Sequence, residues 1–252
     1  MNIAIIGYGH VGKAMHKLFQ NAVVFDPALG MGNKDEVNKC KAAFVCVPTP
    51  MLENGRCDTK ITEEVIEWLD VELIILRSTV EIGFTDAMAK KYMKKIVFHP
   101  EYYGETVDHP FKDLNGRKWL TFGGCQFAID GAIKVYQEVI NSDVKIFQTD
   151  AKSAELAKYM ENSFLAMKVT FCNEMYDIAD KLGVNYNKAR ELWLADPRIG
   201  ASHTFVYEEN RGYGGKCLPK DIASVISQAE TAGANVSLLK ATEERNKAFR
   251  EA

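Results

Sequence analysis

The first 26 residues leave this chain few ways to fold. Asn2-Ile-Ala-Ile-Ile reads as a short buried strand, and Gly7-Tyr8-Gly9-His10-Val11-Gly12 follows it at once. An amphipathic helix carrying Val11, Met15, Leu18 and Phe19 comes next, then a second strand, Ala22 to Phe25, ending at Asp26. In a strand–G-x-G-x-x-G–helix unit, the first glycine permits the tight turn and the second lets a pyrophosphate approach the backbone. The third lets the helix pack closely on the strand. The helix N-terminus adds amide groups and a positive partial charge for the phosphates. Asp26 falls about 20 residues beyond the first glycine, where a carboxylate can accept from both ribose hydroxyls and repel a 2′-phosphate. The pattern predicts a dinucleotide site made by Gly7, Tyr8, Gly9, His10, Val11, Gly12 and Asp26, with NAD preferred to NADP. His10 there is either a pyrophosphate neighbour or a solvent-facing residue.

The same alternation continues and sets the fold class. Strands are expected at 42–47, ending in Pro48-Thr49-Pro50, at 73–76, ending in Arg77-Ser78-Thr79-Val80, and at 96–98, ending in His99-Pro100-Glu101. Helices at 61–69 and 83–93 separate them, and closing strands at 118–122 and 144–147 flank a helix from about 127 to 140. Residues 1–150 therefore predict an α/β domain, a Rossmann-like doubly wound parallel sheet with its ligands off the carboxyl ends of the strands. Thr49, Thr79, Glu101 and Glu105 fall at or just after such ends. Each alone could be a turn residue or a cap, but four at one rim point to a site.

After Asp150 the pattern changes, and 151–252 predicts an all-α central domain. Residues 151–182 contain no glycine or proline and read as one long helix. Leu156, Met160, Phe164, Met167, Phe171, Met175, Ile178 and Leu182 step by threes and fours along it, a stripe suited to a core or a subunit interface. Lys158 and Asn162, four apart, share another face. Further helices are expected at 186–195, 219–230 and from 236 onward, with an irregular loop from Arg198 to Gly212. With one face apolar and another polar, the long helix predicts a homodimer through 151–182.

The most reactive-looking stretch is Gly212-Tyr-Gly-Gly-Lys-Cys-Leu-Pro-Lys-Asp221. Glycines allow positive φ and close approach to a ligand, and Pro219 suits the first turn of a helix. Cys217 should then sit at a helix N-terminus between Lys216 and Lys220, where the dipole and both cations favour a thiolate. A plain loop cysteine beside a cap is the competing reading. The other cysteines form no C-x-x-C pair, and the five histidines are scattered, so neither a disulfide framework nor a metal is expected. Cys46 and Cys172 read as core residues. A net charge of −3 gives no reason to expect nucleic acid or an anionic membrane as partner. The first strand starts too soon for a signal peptide, and no apolar run is long enough for a bilayer. A reduced, cytoplasmic protein is expected.

Taken together the motifs resemble the UDP-glucose/GDP-mannose dehydrogenase family, over essentially the whole chain. They are Gly7 to Gly12, Val47-Pro-Thr-Pro50 with Asn54-Gly55 and Asp58, Ser78-Thr-Val80, and Pro100-Glu101 with Glu105. To these add Glu155-Leu-Ala-Lys158-Tyr-Met-Glu-Asn162, Arg198-Ile-Gly200 and the cysteine stretch, whose Cys-Leu-Pro-Lys-Asp is nearest the UDP-glucose enzymes. The resemblance implies oxidation of a sugar 6-hydroxymethyl group to a carboxylate with two NAD. Cys217 would attack the intermediate aldehyde, and Lys158 would stabilise the oxyanion with Asn162 beside it. Asp221 and Thr79 would hold a water, and Glu101 would act as general base for thioester hydrolysis. Thr49, Thr79 and Glu105 would line the nicotinamide end of the NAD site. Glu101, Lys158, Asn162, Arg198, Tyr213 and Gly214 would meet the substrate, Arg198 across a dimer. Such enzymes continue into a second α/β domain that holds much of the nucleotide, so this chain reads as a shortened form. Two other readings stay open. One is a β-hydroxyacid-type dehydrogenase taking a single hydride, for which Cys217 has no use; the other is an idle NAD-binding module pairing with a full-length enzyme.

Overall fold

Four runs of Ile, Val, Leu, Ala and Phe with no polar alternation make strands buried on both faces, as parallel strands between helical layers must be. They are β1 (Ile3–Ile6), β3 (Ala42–Val45), β4 (Leu73–Leu76) and β5 (Ile96–Phe98). With β2 (Val23–Phe25), β6 (Trp119–Gly124) and β7 (Lys145–Thr149) they form a seven-stranded sheet in the order β2-β1-β3-β4-β5-β6-β7. This computed structural model describes residues 2–102 and 118–251. Glu105 lies outside them.

One layer of helices, α1 (His10–Leu18) and α5 (Gln126–Gln137), brings Met15, Ala128, Ile129 and Tyr136 onto Ile5, Phe44 and Phe122. The other layer, α3 (Lys60–Trp68) and α4 (Phe84–Tyr92), packs Val65, Ile66, Phe84 and Met88 onto Ile6, Val45 and Leu76. A short helix, α2 (Lys34–Val37), and a 3-10 turn at Pro27–Leu29 were not apparent in the sequence pattern.

The sheet departs from the expected uniform parallel order at one place. β6 runs antiparallel to β5, with Val97 opposite Gly124 and Phe98 opposite Gly123, while β7 is parallel to β6. A chain that returns beside the strand it has just left pairs antiparallel, whereas a parallel neighbour needs a crossover to the opposite end of the sheet. A Cβ at Gly123 would lie 2.5 Å from that of Ala154, so the glycine lets β6 approach the start of the long helix.

By contacts the chain divides into two compact units, 1–50 with 57–158, and 51–56 with 159–252. The boundary falls inside α6 (Ala151–Lys181), whose first two turns belong to the first unit. The second unit adds α7 (Tyr186–Trp193), α8 (Leu218–Thr231) and α9 (Ser237–Glu251). Its core is small, built on Ala166, Tyr213, Ile222 and Ile226 with a second cluster of Cys172, Ala179 and Tyr186. The apolar stripe of α6 is not part of it: Phe164 is 56% exposed, Phe171 50% and Leu182 72%. Among the described residues no helix is long and apolar enough to cross a membrane, and no group of three or more side chains could hold a metal ion.

Candidate active site

The glycine turn after β1 has the geometry its three positions require. Gly7 adopts φ +87°, and a Cβ there would lie 2.7 Å from the Cys46 carbonyl oxygen. A Cβ at Gly12 would lie 1.9 Å from the Gly7 carbonyl oxygen, so only glycine lets α1 start so close to β1. Gly9, which precedes α1, has nothing within 4 Å of that position. An open backbone at a helix N-terminus is a cradle for an anion. His10 and Val11 open α1, and the Tyr8 hydroxyl pairs with His16 Nδ1 at 2.8 Å. Asp26 closes the cradle: its Oδ2 accepts the Tyr8 amide at 2.7 Å, and its Oδ1 accepts those of Ala28 and Leu29 at 3.0 and 3.3 Å. These bonds fix a carboxylate beside the turn, at the end of β2.

The carboxyl ends of β3, β4 and β5 are tied together in the same unit. The Thr49 hydroxyl donates to the Thr79 carbonyl at 2.7 Å, and Ser78 Oγ donates to the Val47 carbonyl at 2.7 Å. Arg77, 1% exposed, donates to the His99 and Pro100 carbonyls and meets Glu101 Oε2 at 2.6 Å. In the sequence Arg77 shows only as the end of a strand. A cation directly after one buried strand and an acid just after its neighbour were the available signal. Burial pushes the nearby Cys46 thiol up to about 12, which suits a packing role and not a nucleophile. Lys158, also buried, holds its ammonium 4.8 Å from the centre of the Tyr102 ring. One turn earlier on α6, Glu155 accepts from the Gly83 amide at 2.5 Å and the Thr85 amide at 2.9 Å. It thereby caps α4, whose own N-cap residue is a glycine. Burial raises the Glu155 carboxyl against the opposing pull of those hydrogen bonds.

In the second unit Cys217 is the residue immediately before α8, with Pro219 in the first turn, as the glycine-to-proline pattern predicts. Its side chain is exposed, and its carbonyl accepts the Asp221 amide at 2.9 Å. Asp221, 1% exposed, takes Lys220 Nζ on Oδ1 and Asn162 Nδ2 on Oδ2, each at 2.5 Å. A buried carboxylate satisfied in this way joins α6 to the start of α8. Lys216 is exposed, while Lys220, on the other side of the thiol, is committed to the Asp221 carboxylate.

Tyr213 turns its ring into the core, where burial raises its phenol well above the ordinary range. Gly214 is exposed, with the Arg250 guanidinium carbon 3.4 Å from where a Cβ would stand. Arg198 is exposed and forks onto Asp196 of its own loop. Thr49, Thr79, Glu101 and Lys158 thus belong to the first unit, and Asn162, Tyr213, Gly214, Cys217 and Asp221 to the second. Arg198 stands apart on an outer loop held by Lys168, whose ammonium donates to the Ile199 and Gly200 carbonyls.

Comparison with known proteins places these features in one context. The model of the UDP-glucose/GDP-mannose dehydrogenase family, NAD binding domain, matches residues 28–108, and that of the family's central domain matches 152–248. The chain is 28% identical over 243 residues to UDP-glucose 6-dehydrogenase of Pseudomonas aeruginosa, an alignment covering 89% of this chain and 51% of that protein. It spans, then, about half the length of that relative. With YtcA of Bacillus subtilis it shares 30% identity over 300 residues, 98% of this chain and 67% of the other. A solved UDP-glucose dehydrogenase from Pyrobaculum islandicum superimposes with a TM-score of 0.83 at 24% identity, covering 98% of this chain and 68% of that one, and so shares the fold. NAD is the cofactor of the matched N-terminal domain, and the open backbone at Gly9 with the fixed acid at Asp26 fits it.

Proposed function

The chain belongs to the UDP-glucose/GDP-mannose dehydrogenase family, and from that premise we propose that it oxidises a nucleotide sugar at C6, taking UDP-glucose to UDP-glucuronate. The observation that carries this reading is the exposed Cys217 directly before α8, with buried Asp221 one turn on and bound to Asn162. A fold that held NAD without such a thiol could take an alcohol only to the carbonyl.

In this scheme Gly7 to Gly12 and Asp26 would hold NAD, and a fresh oxidised NAD would serve as acceptor for each of the two hydrides. Loss of the first hydride and a proton leaves the 6-aldehyde. The Cys217 sulfur then bonds to the aldehyde carbon, and the carbonyl pair moves onto oxygen as an alkoxide, the charge Lys158 is proposed to stabilise. Loss of the second hydride leaves a thioester on Cys217. Water adds to it with Glu101 as base, the carbon–sulfur bond breaks, and the carboxylate departs with the thiolate restored. The ion pair with Arg77 supports the role given to Glu101 by holding its carboxylate in one position. Thr49, Thr79, Asn162, Asp221, Arg198, Tyr213 and Gly214 keep the roles the family resemblance implies. A cytoplasmic setting, where Cys217 stays reduced, belongs to the same reading.

The scheme includes a homodimer through α6. The stripe Met160, Phe164, Phe171, Met175, Ile178 and Leu182 is exposed from 39% to 72%, an apolar surface of the kind interfaces cover. A groove of about 390 Å³ lined by Phe171, Met175, Leu182 and Trp193 continues it. Screening UDP- and GDP-sugars with NADH detection tests the function. About two NADH per sugar support it; one per sugar would favour a β-hydroxyacid-type enzyme, and none an idle NAD-binding module.

A further inference from the structure

Residues 207–217 have no regular secondary structure except turns at 208–209 and 215–217, yet their backbone is fastened at one point from two helices. Asn173 of α6, 2% exposed, accepts the Gly212 amide on Oδ1 at 3.1 Å. The same oxygen takes Arg211 Nε at 2.7 Å, while Asn173 Nδ2 donates to the Val169 carbonyl at 2.9 Å. Asn246 of α9, 6% exposed, accepts the Tyr213 amide on Oδ1 at 2.7 Å and donates Nδ2 to the Tyr213 carbonyl at 3.0 Å. Gly212 has φ +73°, and a Cβ on it would lie 2.5 Å from Asn246 Oδ1, so glycine and asparagine require one another. Arg211 adds an ion pair to Asp177 at 2.6 Å.

On the far side of the thiol the chain is fastened again, by Asp221 on Asn162. Only Gly214, Gly215 and Lys216 separate the first fastening from Cys217, and Gly215 has nothing within 4 Å of a Cβ position. A buried amide side chain that satisfies both backbone groups of one residue is a costly device, because a missing partner leaves each group desolvated. Its placement next to the span that carries the exposed Cys217 thiol gives it a purpose beyond stability.

We propose that Asn173 and Asn246 are positioning residues for Cys217, holding Gly212 and Tyr213 so that the short span to the thiol has one conformation. The proposal rests on the reading of Cys217 as the nucleophile, since a group held within a fraction of an ångström of its reactive pose needs such support.

The test uses the full chain with Cys125→Ser, because Cys125 is the other exposed thiol and the remaining four are buried. A nitroxide spin label on Cys217 reports motion of the thiol position without any substrate. In Asn246→Ala the label's correlation time should shorten at least about twofold, whereas Lys247→Ala, on the exposed side of α9, should leave it unchanged. Amide exchange should quicken over 205–217 and stay slow in the α8 interior. In unlabelled protein, kcat should fall at least about tenfold while the KM for NAD moves less than about twofold, since misplacement costs turnover rather than cofactor binding. Should Asn246→Ala fail to fold, Asn173→Ala, which removes the bond to Gly212, carries the same expectations. A folded variant with quickened exchange at 205–217 but unchanged label motion and unchanged kcat overturns the proposal. A label that loosens in a protein yielding no NADH from any nucleotide sugar upholds the positioning of Cys217 and overturns the dehydrogenase reading instead.

Discussion

Replacing Glu155 isolates a buried carboxylate that does structural work at long range. It is 1% exposed and binds the Gly83 and Thr85 amides, two of the N–H groups that the first turn of α4 cannot satisfy within the helix. Hydrogen bonds to a charged group are worth about 1.5–3 kcal/mol each, and the relief of burying that charge offsets part of the loss in Glu155→Ala. A net cost of about 2–4 kcal/mol results, and at about 2–4 °C per kcal/mol for a chain of this size the melting temperature should fall by about 5–15 °C. The pH dependence tests the reasoning more sharply. Burial raises the Glu155 carboxyl above 4.5 despite the hydrogen bonds that lower it. Between 4.5 and that raised value the folded chain binds more protons than the unfolded chain, so the contribution of Glu155 to stability falls as pH rises through this window. Glu155→Gln lacks the titration. The stability gap between wild type and Glu155→Gln, read by denaturant melts from pH 4 to 8, should therefore narrow towards neutrality. A gap that widens over the same range would refute the raised titration, because the hydrogen bonds would then favour the charged carboxyl over the neutral one by more than burial disfavours it.

Four further outcomes are expected. Gly12→Ala must displace the Gly7 carbonyl, 1.9 Å from the new Cβ, and should abolish NAD binding in calorimetry while costing about 1–3 kcal/mol of stability. Asp26→Ala should narrow the preference for NAD over NADP in steady-state kinetics; equal turnover of both cofactors by wild type would sink that assignment. Cys217→Ala should end acid formation, followed by product chromatography, with the Kd for NAD within about threefold of wild type, because the thiol takes part in bond-making and not in cofactor binding. Phe171→Glu, on the exposed stripe of α6, should yield monomers in sedimentation and lower activity with them, and a monomeric wild type at micromolar concentration would remove the proposed interface.

Much of the fold was legible because its signals are local. Runs such as Leu73 to Leu76 and Ile96 to Phe98 declare buried strands by composition, and those two lie where the pattern places them. The glycines of the first turn are dictated by backbone sterics within a few residues, so Gly7 and Gly12 were readable and fit closely. The length of α6 follows from the absence of helix breakers. The direction of β6 was not readable, since it depends on which edge of the sheet the returning chain reaches. The partners of Glu155, Arg77 and Asn246 were not readable either. They lie 70 to 72, 22 to 24 and 33 residues away along the chain, and nothing in local periodicity marks them.

The amino-acid order alone thus determined the element types, the dinucleotide cradle, the long helix with its apolar stripe, and a cysteine at the head of a helix. Each of these follows from short-range propensity, hydrophobic period or the φ a glycine permits. Only the tertiary structure decided that Asp221 is paired with Lys220 and takes a hydrogen bond from Asn162, that Arg77 anchors Glu101, that Tyr213 points inward, and that two asparagines grip the thiol's loop. Those choices are made when a polar group is buried and must find a partner among whatever side chains packing has brought within about 3 Å.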